Sequence, residues 1–175
     1  MDNKRTIILW HVIGALFATF AGSALHFVFE WAGRLKPVAL IAAVNESTWE
    51  HLKIAFWPML IFAVFEYFMY GKEKSNFLLA KAFSFYLVPI AIIGLFYGYT
   101  AIIPDNLFFD IGIFVIAIIL GYYFSYKIMS IEKKILPEWI PLILILLIIL
   151  AFSLFTYFPP KMFLFLDPVS GGFGI

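Results

Sequence analysis

The sequence contains no cysteine in 175 residues. That excludes a disulfide framework, a Cys-ligated zinc or iron–sulfur centre, and a thiol nucleophile. Charge is scarce too. Only 13% of residues are Asp, Glu, Lys or Arg, about half the ~25% of an average globular chain. So little charge cannot cover a soluble surface, and it is not the composition of a disordered tail. Neither sign dominates. Twelve Lys and Arg against eleven Asp and Glu give a net charge of +1. There is no basic footprint for a phosphate backbone, so nucleic acid is not a partner. Histidine is limited to three positions, His11, His26 and His51.

What the sequence does have is hydrocarbon, 64% of its residues. A membrane-crossing helix needs about 20 mostly apolar residues. Three runs free of formal charge are long enough unaided: 6–29, 82–104 and 139–160, of 24, 23 and 22 residues. A fourth run, 111–126, reaches 20 residues when Asp110 is admitted, as 107–126. A fifth, 54–65, extends to 71 when Glu66 is admitted. The chain therefore reads as an all-α integral membrane protein forming a single domain over 1–175. Its five spans lie at about 6–30, 48–70, 77–103, 107–128 and 138–158. The N-terminal run continues past its small residues, so it reads as an uncleaved first helix rather than a signal peptide. The segment 36–46 is apolar but too short to cross, and reads as interfacial or re-entrant. The tail 159–175 combines turn formers with an apolar, aromatic stretch, and is expected to fold back over the end it leaves.

Lys and Arg set the orientation. With the N-terminus inside, eight of the twelve fall inside and four outside (Arg34, Lys36, Lys53 and Lys161). This favours N-in and C-out, in the cytoplasmic membrane. In that orientation His26, His51 and most acidic residues gather at the outer face.

Gly14, Ala18 and Gly22 form an i+4 stripe of small residues on helix 1, a face suited to close helix packing and to a homodimer. The same line continues to His26 and Glu30. His11, about one turn from Arg5, reads as interfacial. Helix 5 is apolar throughout and is expected to face lipid. Pro58 and Pro89 each break one backbone hydrogen bond inside a span. Glu66 is an intramembrane carboxylate, with Lys81 as its expected partner.

The densest polar segment is VNESTWEHLK, residues 44–53. Ser47 and Glu50 fit a capping box that would start helix 2. A serine engaged in a cap is poorly placed for attack, which weighs against a Ser47–His51 nucleophile relay. The segment also supplies chemistry. His26, Glu30, Glu50 and His51 are ligand types for a divalent metal such as zinc, with a spare carboxylate as general base. Candidate roles are therefore metal ligation by His26, Glu30 and His51, and acid–base catalysis by Glu50 and His51. Asn45, Glu46, Trp49 and Asp167 would bind substrate. The set is not an HExxH motif, and adjacent Glu50 and His51 point about 100° apart on a helix.

Two stretches, NESTWEHLKIAFWPM at 45–59 and FTYFPPKMFLFLDPVSGGFGI at 155–175, resemble a family of small multi-spanning membrane proteins of bacteria and archaea. That family is known only as a domain of unknown function. The resemblance implies that the 45–53 segment and the tail pair on the outer face. It implies no activity. Three functions fit the residues. One is a membrane hydrolase or transferase, metal-dependent, acting on a lipid-type substrate. Another is a binder or carrier of a small solute or ion. The last is a structural subunit of a membrane complex.

Overall fold

The computed structural model describes residues 3–175. Among these residues there are five α-helices: α1 (Asn3–Trp31), α2 (Thr48–Met69), α3 (Phe77–Thr100), α4 (Leu107–Met129) and α5 (Trp139–Tyr157). All five are long and apolar enough to cross a membrane. Each boundary lies within three residues of the span expected from the apolar runs, because charged and turn-forming residues interrupt hydrocarbon where helices end. Among the described residues there is no sheet, only an isolated bridge between Leu166 and Phe173 in the tail.

Short connections force neighbouring helices to run antiparallel. α1 packs against α2 and α4, and α3 against α2 and α4, which closes a ring of four helices. α5 leans on α3 from outside the ring. Phe56, Met59, Phe62, Phe85, Val88, Ile118 and Tyr122 interlock at the centre.

The small-residue stripe works inside the chain. Gly14, Ala18 and Gly22 are buried. A Cβ on Gly14 would lie 2.6 Å from the Tyr122 ring and 2.7 Å from Phe62. One on Gly22 would lie 2.8 Å from the Ile54 carbonyl oxygen and from Phe114. Within the chain this face is taken up by α2 and α4. α5 differs from its expected role. Pro141, Ile145, Ile148, Phe152 and Thr156 form one buried stripe.

Residues 36–46 connect α1 to α2. They make a 3-10 turn, Lys36–Leu40, followed by an irregular stretch in which Ala42, Ala43 and Val44 are buried. Phe29 of α1 packs on Ala39, Ala42 and Val44. The Ala43 N–H donates to the Leu25 carbonyl at 3.2 Å, tying the segment to α1 beside His26.

The tail folds back over the same end. Phe165 is buried, and its ring lies 4.7 Å from that of Trp49. Gly174 has φ +67°, and a Cβ there would lie 2.9 Å from the Thr156 carbonyl, so only glycine fits without strain. Its own carbonyl accepts from Asn45 Nδ2 at 2.9 Å.

Candidate metal centre

Helices α1 and α2 touch where Gly22 meets Ile54. One turn further towards the tail end, the same two faces carry His26 and His51. Their Nε2 atoms stand 3.2 Å apart. Glu46, in the segment before α2, brings Oε2 to 3.3 Å from His26 Nε2 and 3.6 Å from His51 Nε2. Both imidazoles are half-buried and Glu46 is exposed. Among the described residues this is a group of two nitrogens and one carboxylate oxygen able to hold one ion.

Tetrahedral zinc has ligand bonds of ~2.0–2.2 Å, which put neighbouring ligand atoms about 3.3–3.6 Å apart. The triangle of 3.2, 3.3 and 3.6 Å matches that spacing. The tautomer of His51 also suits ligation. Its Nδ1 lies 2.9 Å from the Ser47 carbonyl, which can only accept, so Nδ1 carries the hydrogen. In the neutral ring Nε2 is then a bare lone pair.

The capping box does not form. Ser47 occupies the N-cap with extended backbone but makes no side-chain cap. Its N–H donates to Asn45 Oδ1 at 2.9 Å. Glu50 turns inward instead and is 1% exposed. Its Oε2 accepts from the Val44 N–H at 3.1 Å and from Lys53 Nζ at 2.5 Å. Its Oε1 accepts from Thr156 Oγ1 at 3.0 Å. Lys53 Nζ also donates to the Ala39 carbonyl at 2.7 Å and to Thr156 Oγ1 at 2.9 Å. Every donor of this ammonium is used, and each carboxylate oxygen is satisfied. Buried charges are tolerated only with such pairing.

Glu50 is therefore neither a free base nor a ligand. Glu30 does not reach the imidazoles either. It is exposed, with Oε1 3.5 Å from Arg34 Nε. Trp49 lies between Phe152 and Phe165, each 4.7 Å away centroid to centroid, so its ring serves packing of the tail. Asp167 closes a turn in the tail, accepting from Ser170 Oγ and from the Val169 and Ser170 N–H groups. Burial pushes its carboxyl up. These hydrogen bonds, with one from the Glu46 N–H, outweigh burial and hold it below the usual aspartate range.

A family model described as a family of unknown function, DUF6512, matches residues 1–175, the whole chain. The chain belongs to the DUF6512 family. No curated protein and no solved structure matches it.

The other polar centre of this DUF6512 chain lies at the opposite end of the bundle. Glu66 is fully buried. Its Oε2 meets Lys81 Nζ at 2.5 Å, and its Oε1 accepts from Tyr70 OH at 2.6 Å. The pairing with Lys81 is the one expected. His11 departs from its interfacial reading. It is 5% exposed, donates Nδ1–H to the Ile7 carbonyl, and stands 3.7 Å from Glu66.

From the sequence Glu46 reads as a substrate-binding residue, and Lys53 and Thr156 carry no assigned role. The i,i+3 spacing of Glu50 and Lys53 was a usable signal. For Thr156, 106 residues from Glu50, there was none.

Proposed function

We propose that this DUF6512 chain is a multi-pass protein of the cytoplasmic membrane, N-terminus inside and C-terminus outside. In this reading it holds a divalent metal such as zinc at its outer face and acts there as a hydrolase or transferase on a lipid-type substrate. One observation carries the reading: His26, Glu46 and His51 converge to 3.2–3.6 Å with the His51 Nε2 lone pair turned into the triangle. Two His and one Glu leave a fourth position open, the ligand count of a catalytic rather than a structural zinc. A metal there would polarise a substrate oxygen and acidify water. The exposed side of Glu46 would face the headgroup layer, where lipid-linked substrates present their polar parts. His51, oriented by the Ser47 carbonyl, would keep its ring fixed through the reaction.

Elemental analysis of the purified protein tests this. Wild type is expected to carry about one zinc per chain, and His26→Ala, Glu46→Gln and His51→Ala close to none. A metal-free wild type, equally free after incubation with zinc, overturns the reading.

A second reading, binding or transport of a small ion or solute, is favoured by Glu66, a buried carboxylate within reach of His11 and Tyr70. Proton-linked uptake into vesicles, lost in Glu66→Gln and indifferent to chelators, would favour it over the metal reading.

A further inference from the structure

The metal ligands sit on pieces of chain that differ in rigidity. His26 and His51 belong to helices. Glu46 belongs to the irregular stretch between the 3-10 turn and α2, so its carboxylate stays between the imidazoles only if that stretch is held. The holds are visible. Lys53 binds the Ala39 carbonyl, Glu50 binds the Val44 N–H, and Asn45 binds the Gly174 carbonyl. Asn45 and the Glu46 N–H, which donates to Asp167, tie the stretch to the tail, while at Val44, two residues before Glu46, the Glu50 carboxylate ties it to the helices.

Glu50 and Lys53 are themselves fixed from α5. Thr156 Oγ1 accepts from Lys53 Nζ at 2.9 Å and donates to Glu50 Oε1 at 3.0 Å, so one hydroxyl locks both charges into one geometry. Thr156 is 0% exposed. A buried ion pair is a weak contributor to stability compared with apolar packing of the same volume, so stability alone is a poor reason for this arrangement. Its geometric product is a fixed Val44 N–H.

We infer that Thr156 is a positioning residue for the metal centre: through Glu50 and Lys53 it fixes the backbone at Val44 and so sets the Glu46 carboxylate against His26 and His51. The inference rests on the metal reading of that site. Side chains that orient a ligand typically change metal affinity by about 10- to 100-fold when removed.

The test is zinc affinity of the full-length protein in detergent, measured by competition with a chelating dye. Thr156→Val keeps the shape and removes the hydroxyl. It should still bind about one zinc at saturation, about 10- to 100-fold more weakly than wild type. Thr156→Ser should restore most of the affinity. Should the valine variant not fold, Thr156→Ala removes the same hydroxyl. Tyr86→Phe is the control. It deletes the bond from Tyr86 OH to the Leu144 carbonyl, a side-chain tie of α5 to α3 rather than to α2, and should leave zinc affinity unchanged. Wild-type affinity in the hydroxyl-free variant overturns the inference while the metal reading stands. An equal loss in Tyr86→Phe overturns it as well, since the effect would then be general loosening of α5. A wild type that binds no zinc removes both.

Discussion

Lys81 Nζ meets Glu66 Oε2 at 2.5 Å in a place almost closed to solvent, with Tyr70 OH on the other carboxylate oxygen. The Lys81 ammonium also stands 5.3 Å from the Tyr122 ring centroid and 5.4 Å from that of Phe77. A charge pair here joins the end of α2 to the start of α3, and its aromatic surroundings bring in α4. At the other end of the bundle Glu50 and Lys53 join α2 to α5. The two pairs hold opposite ends of the same central helix.

Breaking the Glu66 pair should therefore be costly, and replacing it whole should be tolerated. Removing one partner of a buried pair leaves an uncompensated charge and costs about 3–5 kcal/mol. Glu66→Leu and Lys81→Met are each expected to lose about that much in denaturant unfolding. The Glu66→Leu/Lys81→Met double variant should lose clearly less than the sum. Additive losses would show that the two side chains are not coupled.

Gly22→Leu is expected to lower stability by about 1–3 kcal/mol, the usual cost of overpacking. The new side chain would run into the Ile54 carbonyl, which cannot move without α2, and into Phe114. The oligomeric state by light scattering should stay that of wild type. A change of oligomeric state without loss of stability would return the small-residue face to intermolecular packing.

The tail should come loose in acid. The folded state holds the Asp167 carboxyl below its ordinary value, which is ~3.9 in an unfolded chain. The stabilisation is thus fully present above that unfolded value and is lost as pH falls through the folded one. Hydrogen exchange at the Gly171 amide, which donates to the Asp167 carbonyl, should be slowed equally at pH 7 and pH 5 after correction for intrinsic rates. Protection should fall below about pH 4. Asp167→Asn should show weaker protection throughout and no such fall. Retention of the fall in that variant would assign it to another carboxyl.

The helices were legible because hydrocarbon runs of membrane length have one stable backbone solution, and their ends coincide with charge and turn residues. Pairing of Glu66 with Lys81 was legible for a related reason. Consecutive antiparallel helices place residues near one connection side by side, whatever the rest of the fold does. His26 and His51 were legible as a pair on the same ground, both flanking the α1–α2 connection. Helical spacing puts Glu30 on the His26 line, while the end of α1 leaves it exposed beside Arg34 and away from the imidazoles. The inward turn of Glu50 was not legible, because a position three residues after Ser47 fits a cap as well as it fits a buried pair.

By itself the sequence determined the secondary structure, the number of apolar helices and the end of the bundle where imidazoles and carboxylates collect. These follow from local chemistry: hydrocarbon run length, helical spacing and the reach of short connections. The tertiary structure alone decided which carboxylate joins the histidines, which is buried against a lysine, and whether the glycine stripe faces a second copy or its own neighbours. Those outcomes depend on α4, α5 and the tail, which lie up to 129 residues from the groups they contact. No periodicity within a segment records which distant side chain will fill the space beside it.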